Sequence, residues 1–167
     1  VLDDPPPGLP PIRAAIVVHL YGQAADLAPM LDACERHGVV LIEDCAQSWG
    51  ARHQGTPVGL VGDISCYSFN DFKHLSCGDG GIVGTNREDL GNGLTKWGDK
   101  CYDRVSGARD PEDLAPNYRM GEPLAAVAAA QLTRLESIVA RRVNAGSRLT
   151  AQLADVPGIT PPVTKGG

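Results

Sequence analysis

Side chains able to do chemistry recur in this sequence at one kind of place, just past the end of a short apolar run. Lys73 is the leading case. It follows the run ending in Ser68 and Phe69, and the glycine-rich turn Gly78-Asp79-Gly80-Gly81 comes next. An amine just past a strand end, in a half-apolar setting, gives up its proton more readily than a solvated one. A neutral amine is a nucleophile whose natural partner is an aldehyde, giving a Schiff base. That stretch alone suits a solvated loop lysine better, so the other runs must decide. One ends in Glu43-Asp44-Cys45-Ala46-Gln47, and another leads into His19 and Tyr21.

The elements that must position these groups follow from hydrophobic periodicity. Ala14 to His19 is a continuous apolar run suited to a strand buried on both faces, and Leu20 to Gln23 is the turn after it. Ala25 to His37 places Leu27, Met30, Leu31 and Cys34 at helical spacing, with Gly38 as its C-terminal stop. Val39 to Glu43 is a second buried strand ending in Asp44. Strand, helix and strand in that order predict parallel strands with a right-handed crossover. His53 to Gly59 is turn chemistry. Asp63 to Phe69 reads as a third strand, Gly81 to Thr85 as a short fourth, and Arg87 to Trp97 as a short helix weakened by Gly91 and Gly93. Asp99 to Pro116 is a long polar loop. After Met120 one long helical pattern runs through Leu124, Val127, Leu132, Leu135, Ile138, Val143 and Leu149, with Gly146 as the place it could bend. Arg134, Arg141, Arg142 and Arg148 lie mostly on its solvated side.

The predicted architecture is a three-layer α/β domain with a mainly parallel sheet and helices on both faces. In such sheets ligands collect beyond the carboxyl ends of the strands. The second and third strands bring Asp44, Gln47, Ser68 and Lys73 to that rim. A carboxylate, an amide, a hydroxyl and a lysine together suit a cofactor with a protonated ring nitrogen, a phosphate and an aldehyde, and pyridoxal phosphate is one. A Rossmann-type nucleotide site is disfavoured, because no glycine-rich turn follows the first strand.

Composition narrows the classes further. The 167 residues carry a net charge of −5 with no dense Lys/Arg block, which argues against nucleic acid as the main partner. No apolar run is long enough to span a membrane, and the proline-rich opening lacks the pattern of a signal peptide. The five cysteines form no CxxC pair and suggest neither a disulfide framework nor a zinc site; no metal is expected, and the cytoplasm is the expected compartment.

In order along the chain, Val18-His19-Leu20-Tyr21-Gly22-Gln23, Ile42-Glu43-Asp44-Cys45-Ala46-Gln47, Ser68-Phe69-Asn70-Asp71-Phe72-Lys73, Gly78-Asp79-Gly80-Gly81 and Asn117-Tyr118-Arg119-Met120 resemble the pyridoxal-phosphate-dependent sugar aminotransferases of the DegT/DnrJ/StrS type. Each segment alone is weak; their order and spacing together are specific. The resemblance implies an aspartate-aminotransferase-like (fold type I) large domain, incomplete, in which the Gly81–Thr85 strand runs antiparallel. It implies that Lys73 holds the cofactor as a Schiff base and shuttles a proton. Asp44 would pair with the pyridine nitrogen, Gln47 would sit near the ring and its phenolic oxygen, and Ser68 would bind the phosphate. Asn117 would reach the phosphate of a neighbouring subunit's cofactor, which implies a homodimer with shared active sites. The implied reaction moves an amino group from glutamate or glutamine to a keto sugar, of the nucleotide-linked kind, or to a keto cyclitol. In one branch of the family a histidine replaces the lysine and the chemistry becomes dehydration; Lys73 favours transamination.

Family members are considerably longer than this chain, and Met120-Gly121-Glu122-Pro123 departs from the usual threonine-glutamate-leucine pattern. Residues 1–12 read as a linker, 13–156 as the cofactor-binding portion of the large domain, and 157–167 as a linker toward a small domain. The rival reading is a truncated, non-catalytic homologue that binds cofactor weakly or pairs with a full-length partner. No role is assigned to His19, Tyr21, His74 or Arg119.

Overall fold

The computed structural model describes residues 2–108 and 113–164. Val1, the stretch 109–112 of the expected polar loop and the last three residues of the expected C-terminal linker lie outside them. The core is a four-stranded sheet. Strands β1 (Ala14–Val18), β2 (Val40–Asp44), β5 (Ile64–Ser68) and β6 (Gly81–Gly84) lie side by side in that order. The first three are parallel and β6 runs antiparallel to β5, as the resemblance implies. Between β2 and β5 a small antiparallel hairpin pairs β3 (Arg52–His53) with β4 (Thr56–Pro57).

Helix α1 (Ala28–His37) crosses from β1 to β2. It starts later than its periodicity predicts because Pro29 lacks an amide and is tolerated only in the first turn, which it opens; the Ala25 amide donates instead to His19 Nδ1 (3.0 Å). Gly38 ends it in the left-handed conformation (φ 61°), its amide bonded to the carbonyls of Cys34 and Glu35. Leu27, Cys34, Val39, Leu41 and Val17 form the buried cluster between this helix and the sheet.

Alternate strand residues point to opposite faces. In the observed register Val17, Leu41, Glu43 and Ser65 share one face, and these are the only fully buried residues among the four strands. The opposite face carries Ile16, Val18, Ile42, Asp44, Cys66, Ser68 and Val83, with Ile16 66% and Val83 56% exposed. The first strand is therefore not buried on both faces. Among the described residues α1 and the loops after β2 cover one face only, so no layer closes over Ile16.

The single long helix expected after Met120 is two. Helix α3 (Glu122–Leu132) and helix α4 (Leu135–Leu153) are separated at Thr133–Arg134, after α2 (Glu88–Gly98) earlier in the chain. The break is where side-chain hydroxyls take backbone acceptors: Thr133 Oγ1 donates to the Ala130 carbonyl (2.8 Å) and Ser137 Oγ to that of Arg134 (2.9 Å). Gly146 sits inside α4 and does not interrupt it. The four arginines lie on the exposed side as expected, but Val143 and Leu149 are more than half exposed too. These helices pack through a second cluster of Trp49, Phe69, Leu75, Cys77 and Ala128, which Leu135 and Ile138 join.

Gly59 shows how tightly the loop before β5 is built. Its φ is +89°, and a Cβ there would lie 2.1 Å from the Tyr67 hydroxyl, which itself donates to the Val58 carbonyl (2.5 Å). Gly59→Ala combines a left-handed backbone with overpacking, and a loss of about 2–4 kcal/mol is expected in urea unfolding.

Candidate active site

The register sets the geometry of the rim. Asp44 on β2 is paired with Cys66 on β5, so Ser68 stands two residues further along the neighbouring strand on the same open face. Asp44 Oδ1 accepts from the Ala46 amide (3.0 Å), which fixes the carboxylate and leaves Oδ2 without a partner among the described residues. Ser68 Oγ accepts from the Asn70 amide (3.2 Å) and keeps its proton for another acceptor. Its carbonyl accepts from Trp49 Nε1 (3.0 Å), and Trp49 is stacked near Tyr67 and Phe69 at 4.4 and 5.2 Å. Gln47 Oε1 accepts from the Tyr21 amide (3.3 Å), so its NH₂ is turned outward. Tyr21 itself holds a left-handed conformation (φ 53°) in the 3₁₀ turn Leu20–Gly22.

Lys73 is carried on a closed loop. The Phe69 amide donates to the Gly80 carbonyl (2.9 Å), the Cys77 amide to that of Phe69 (3.1 Å), and Asn70 bridges to Gly78. Phe69 and Leu75, both fully buried, pin the two arms. At the tip, the Lys73 amide closes a turn on the Asn70 carbonyl (3.0 Å). The side chain is half-buried, and among the described residues its ammonium has no hydrogen-bond or ion-pair partner. The neighbouring His74 has a lowered pKa, through burial first and then the charges of Arg142 and Lys73. It lines a cavity of about 650 Å³ with Tyr21, Trp49, Arg142 and Thr150. That cavity adjoins the rim without including Asp44, Gln47, Ser68 or Lys73.

Behind the rim, on the packed face, lies a pair that sequence reasoning missed. The Glu43 carboxylate is fully buried and accepts four hydrogen bonds: His19 Nε2 (3.0 Å), and the amides of Gly59 (2.8 Å), Val61 (2.9 Å) and Gly62 (2.6 Å). Because the Ala25 amide donates to Nδ1, the His19 ring must carry its proton on Nε2. Burial alone would raise the Glu43 pKa, but the bonds from His19 and the three amides outweigh it and hold it at about 2. Buried Cys45 lies close by, its thiol pushed up to about 12 by burial and then by the Glu43 charge. His19, Glu43 and Cys45 are grouped closely enough for a metal ion. The donors of His19 and Glu43 are already committed to protein groups, so the trio serves as a structural anchor. A carboxylate inside the run Val39 to Glu43 was the available signal, since an unpaired acid there would be costly.

Asn117 lies elsewhere, in a segment laid antiparallel against Asp99. No described contact joins it to the other four predicted site residues. Asp99, nearly fully buried, pairs with Lys100 (2.7 Å) and Arg104 (2.5 Å) of the sequence's polar loop and with Arg119 (2.8 Å) just beyond it.

The donor set at the rim fits pyridoxal phosphate. A fixed carboxylate with a free oxygen suits a ring N–H, a free hydroxyl proton suits a phosphate oxygen, an outward amide NH₂ suits a phenolic oxygen, and an unpaired amine suits an aldehyde.

Residues 10–166 match the model of the DegT/DnrJ/EryC1/StrS aminotransferase family. The chain is 37% identical over 146 residues to the GDP-perosamine synthase of Vibrio cholerae, covering 87% of this chain and 39% of that protein. It is 35% identical over 167 residues to the L-glutamine:2-deoxy-scyllo-inosose aminotransferase of Streptoalloteichus tenebrarius, covering 95% and 39%. Among solved structures, DesV from S. venezuelae in complex with a ketimine intermediate superposes with a TM-score of 0.86 at 35% identity, over 92% of this chain and 41% of that one. The chain thus spans about two fifths of the length of the relatives it matches. No described helix is long and apolar enough to cross a membrane.

Proposed function

The chain belongs to the DegT/DnrJ/EryC1/StrS aminotransferase family, and on that premise we propose that it is the cofactor-binding portion of a pyridoxal-phosphate-dependent aminotransferase. Residues 13–156 make up that portion, and 157–167 lead toward a small domain. The reaction moves an amino group from glutamate or glutamine to a keto sugar, nucleotide-linked, or to a keto cyclitol. The relatives' names support both acceptor classes, one being a synthase of GDP-perosamine and the other an aminotransferase named for L-glutamine and a scyllo-inosose.

The observation that carries this reading is Lys73: a half-buried, unpartnered amine on a pinned loop, beside a rim where Asp44 and Ser68 share one face. Bound, pyridoxal phosphate supplies an aldehyde that takes an amine as a Schiff base, and a ring that acts as an electron sink. Lys73 is the amine that engages that aldehyde, and it later carries a proton at Nζ. Asp44 Oδ2 pairs with the ring nitrogen, the Gln47 amide donates to the phenolic oxygen, and the Ser68 hydroxyl donates to the phosphate. Asn117 serves the phosphate of a second copy in a homodimer with shared sites.

The test is spectroscopic. The purified protein mixed with pyridoxal phosphate is expected to gain a visible absorbance band that glutamate or glutamine bleaches. Borohydride should trap the adduct on the peptide containing Lys73 rather than on those of Lys96 or Lys100. A band that neither donor bleaches, or the absence of any band, would instead support a non-catalytic homologue that pairs with a full-length partner. The open sheet face around Ile16 is the observation favouring that second reading.

A further inference from the structure

Asp99 is unusual among the acids of this chain. Its side chain is 4% exposed and receives three cations, from Lys100, Arg104 and Arg119. The hydrogen bonds from Arg104 and then Lys100, with the charges of Arg104 and Arg119, keep the carboxyl far below the usual range. The turn that delivers Lys100 is itself uncommon, because Lys100 and Cys101 are consecutive non-glycine residues in the left-handed region (φ 57° and 61°). The backbone beside this hub is zipped to the segment of Asn117. The Lys100 amide donates to the Pro116 carbonyl (2.8 Å) and the Tyr118 amide to that of Gly98 (2.9 Å).

The chain of contacts ends at an exposed amide. Arg119 Nε sits 2.8 Å from Asp99 Oδ1 and donates to Asn117 Oδ1 at 3.3 Å. A guanidinium has no acceptor, so only the carbonyl oxygen of the Asn117 amide can face it. The NH₂ of Asn117 is then turned away, on an exposed residue, with no described partner. We propose that Asp99 is a positioning residue: it holds Arg119, which fixes the Asn117 carbonyl so that the amide NH₂ donates outward to the phosphate ester of pyridoxal phosphate. The inference rests on the reading of Asn117 given above and adds the residues that make its orientation unique. Without Asp99, Arg119 is an unanchored solvated side chain and the amide is free to turn.

A pair of ligands separates this role from general support of the loop. The protein is titrated with pyridoxal phosphate and, separately, with pyridoxal, which lacks the phosphate. Asn117→Ala is expected to weaken pyridoxal phosphate by about tenfold, the loss of one hydrogen bond to a charged group, and to leave pyridoxal unchanged. Asp99→Asn and Arg119→Ala should each reproduce most of that selective loss, and neither should add to it when combined with Asn117→Ala. Arg119 is exposed, so its variant carries the test if Asp99→Asn fails to fold. A selective loss in Asn117→Ala that Asp99→Asn and Arg119→Ala do not share, or to which they add independently, overturns the positioning role and leaves the Asn117 reading standing. An unchanged affinity in Asn117→Ala overturns both.

Discussion

Lys73→Ala is expected to abolish the visible cofactor band and to lower amino transfer by at least about 10³-fold, while the urea midpoint hardly moves. The two halves of that expectation have separate causes. The ammonium has no protein partner among the described residues, so its removal breaks no ion pair and leaves no buried group unsatisfied. The arms of its loop are pinned by Phe69, Leu75 and the backbone bonds to Gly80, none of which the substitution touches. Stability should change by no more than about 0.5 kcal/mol. On the proposed reading of Lys73 the chemistry, by contrast, loses both its nucleophile and its proton carrier, and general acid–base help alone is worth about 10²–10⁴ in rate. Lys73→Arg sharpens the point. It restores a positive charge of similar reach but stays protonated and cannot attack an aldehyde, so it should be as inactive as the alanine variant. Transfer above about a tenth of the parent rate in Lys73→Arg would mean that charge, not nucleophilicity, is what the site uses.

The sequence showed those groups that sit at the ends of elements. Strand ends are marked by a change from apolar to polar, so Asp44, Ser68 and the approach to Lys73 were visible at once, and Gly38 marked the helix stop. Alternation along the chain also tells which side chains share a face. It does not tell which residue of another strand or loop they meet. The His19–Glu43 contact joins residues 24 positions apart and depends on the register of β1 against β2, and the three amides that complete it come from a loop about 16 to 19 positions further on. Two of the three cations around Asp99, Lys100 and Arg104, are near it in sequence, but the turn that folds Lys100 back holds non-glycine residues in the left-handed region, which no residue type announces, and Arg119 comes from beyond the loop. The division of the last helix was missed for a related reason: the apolar spacing runs straight through Thr133, and only its hydroxyl bond to Ala130 shows the stop. Apolar runs also read as doubly buried whether or not a second layer is present, which is why Ile16 looked like a core residue and stands exposed.

Glu43 carries the second large expectation, on stability. Glu43→Ala should lower the melting temperature by at least about 10 °C, because breaking a buried, hydrogen-bonded charge pair typically costs about 3–5 kcal/mol. The substitution strands four donors at once, the buried Nε2–H of His19 and Gly59 amide and the half-buried amides of Val61 and Gly62. Acid gives an independent reading of the same group. Its folded pKa of about 2 lies below the ordinary value of 4.5. A depressed carboxyl contributes stability that is fully present above the ordinary pKa and is lost as pH falls through the folded one. The contribution is about 3 kcal/mol, and the window is therefore from about pH 4.5 down to about pH 2. Asp99 titrates below its usual range as well, so the parent protein alone cannot isolate Glu43. The comparison that does is Glu43→Gln, which keeps the shape and one acceptor oxygen. It should be less stable than the parent at pH 7, and the gap should narrow as both are unfolded in urea at successively lower pH. A constant gap across that window would assign the loss to the missing acceptor oxygen rather than to the charge. The functional consequence follows from strand geometry. Glu43 and Asp44 are neighbours on β2 and point to opposite faces, so the four bonds that hold Glu43 in the packed side also hold the end of the strand from which Asp44 faces the open rim.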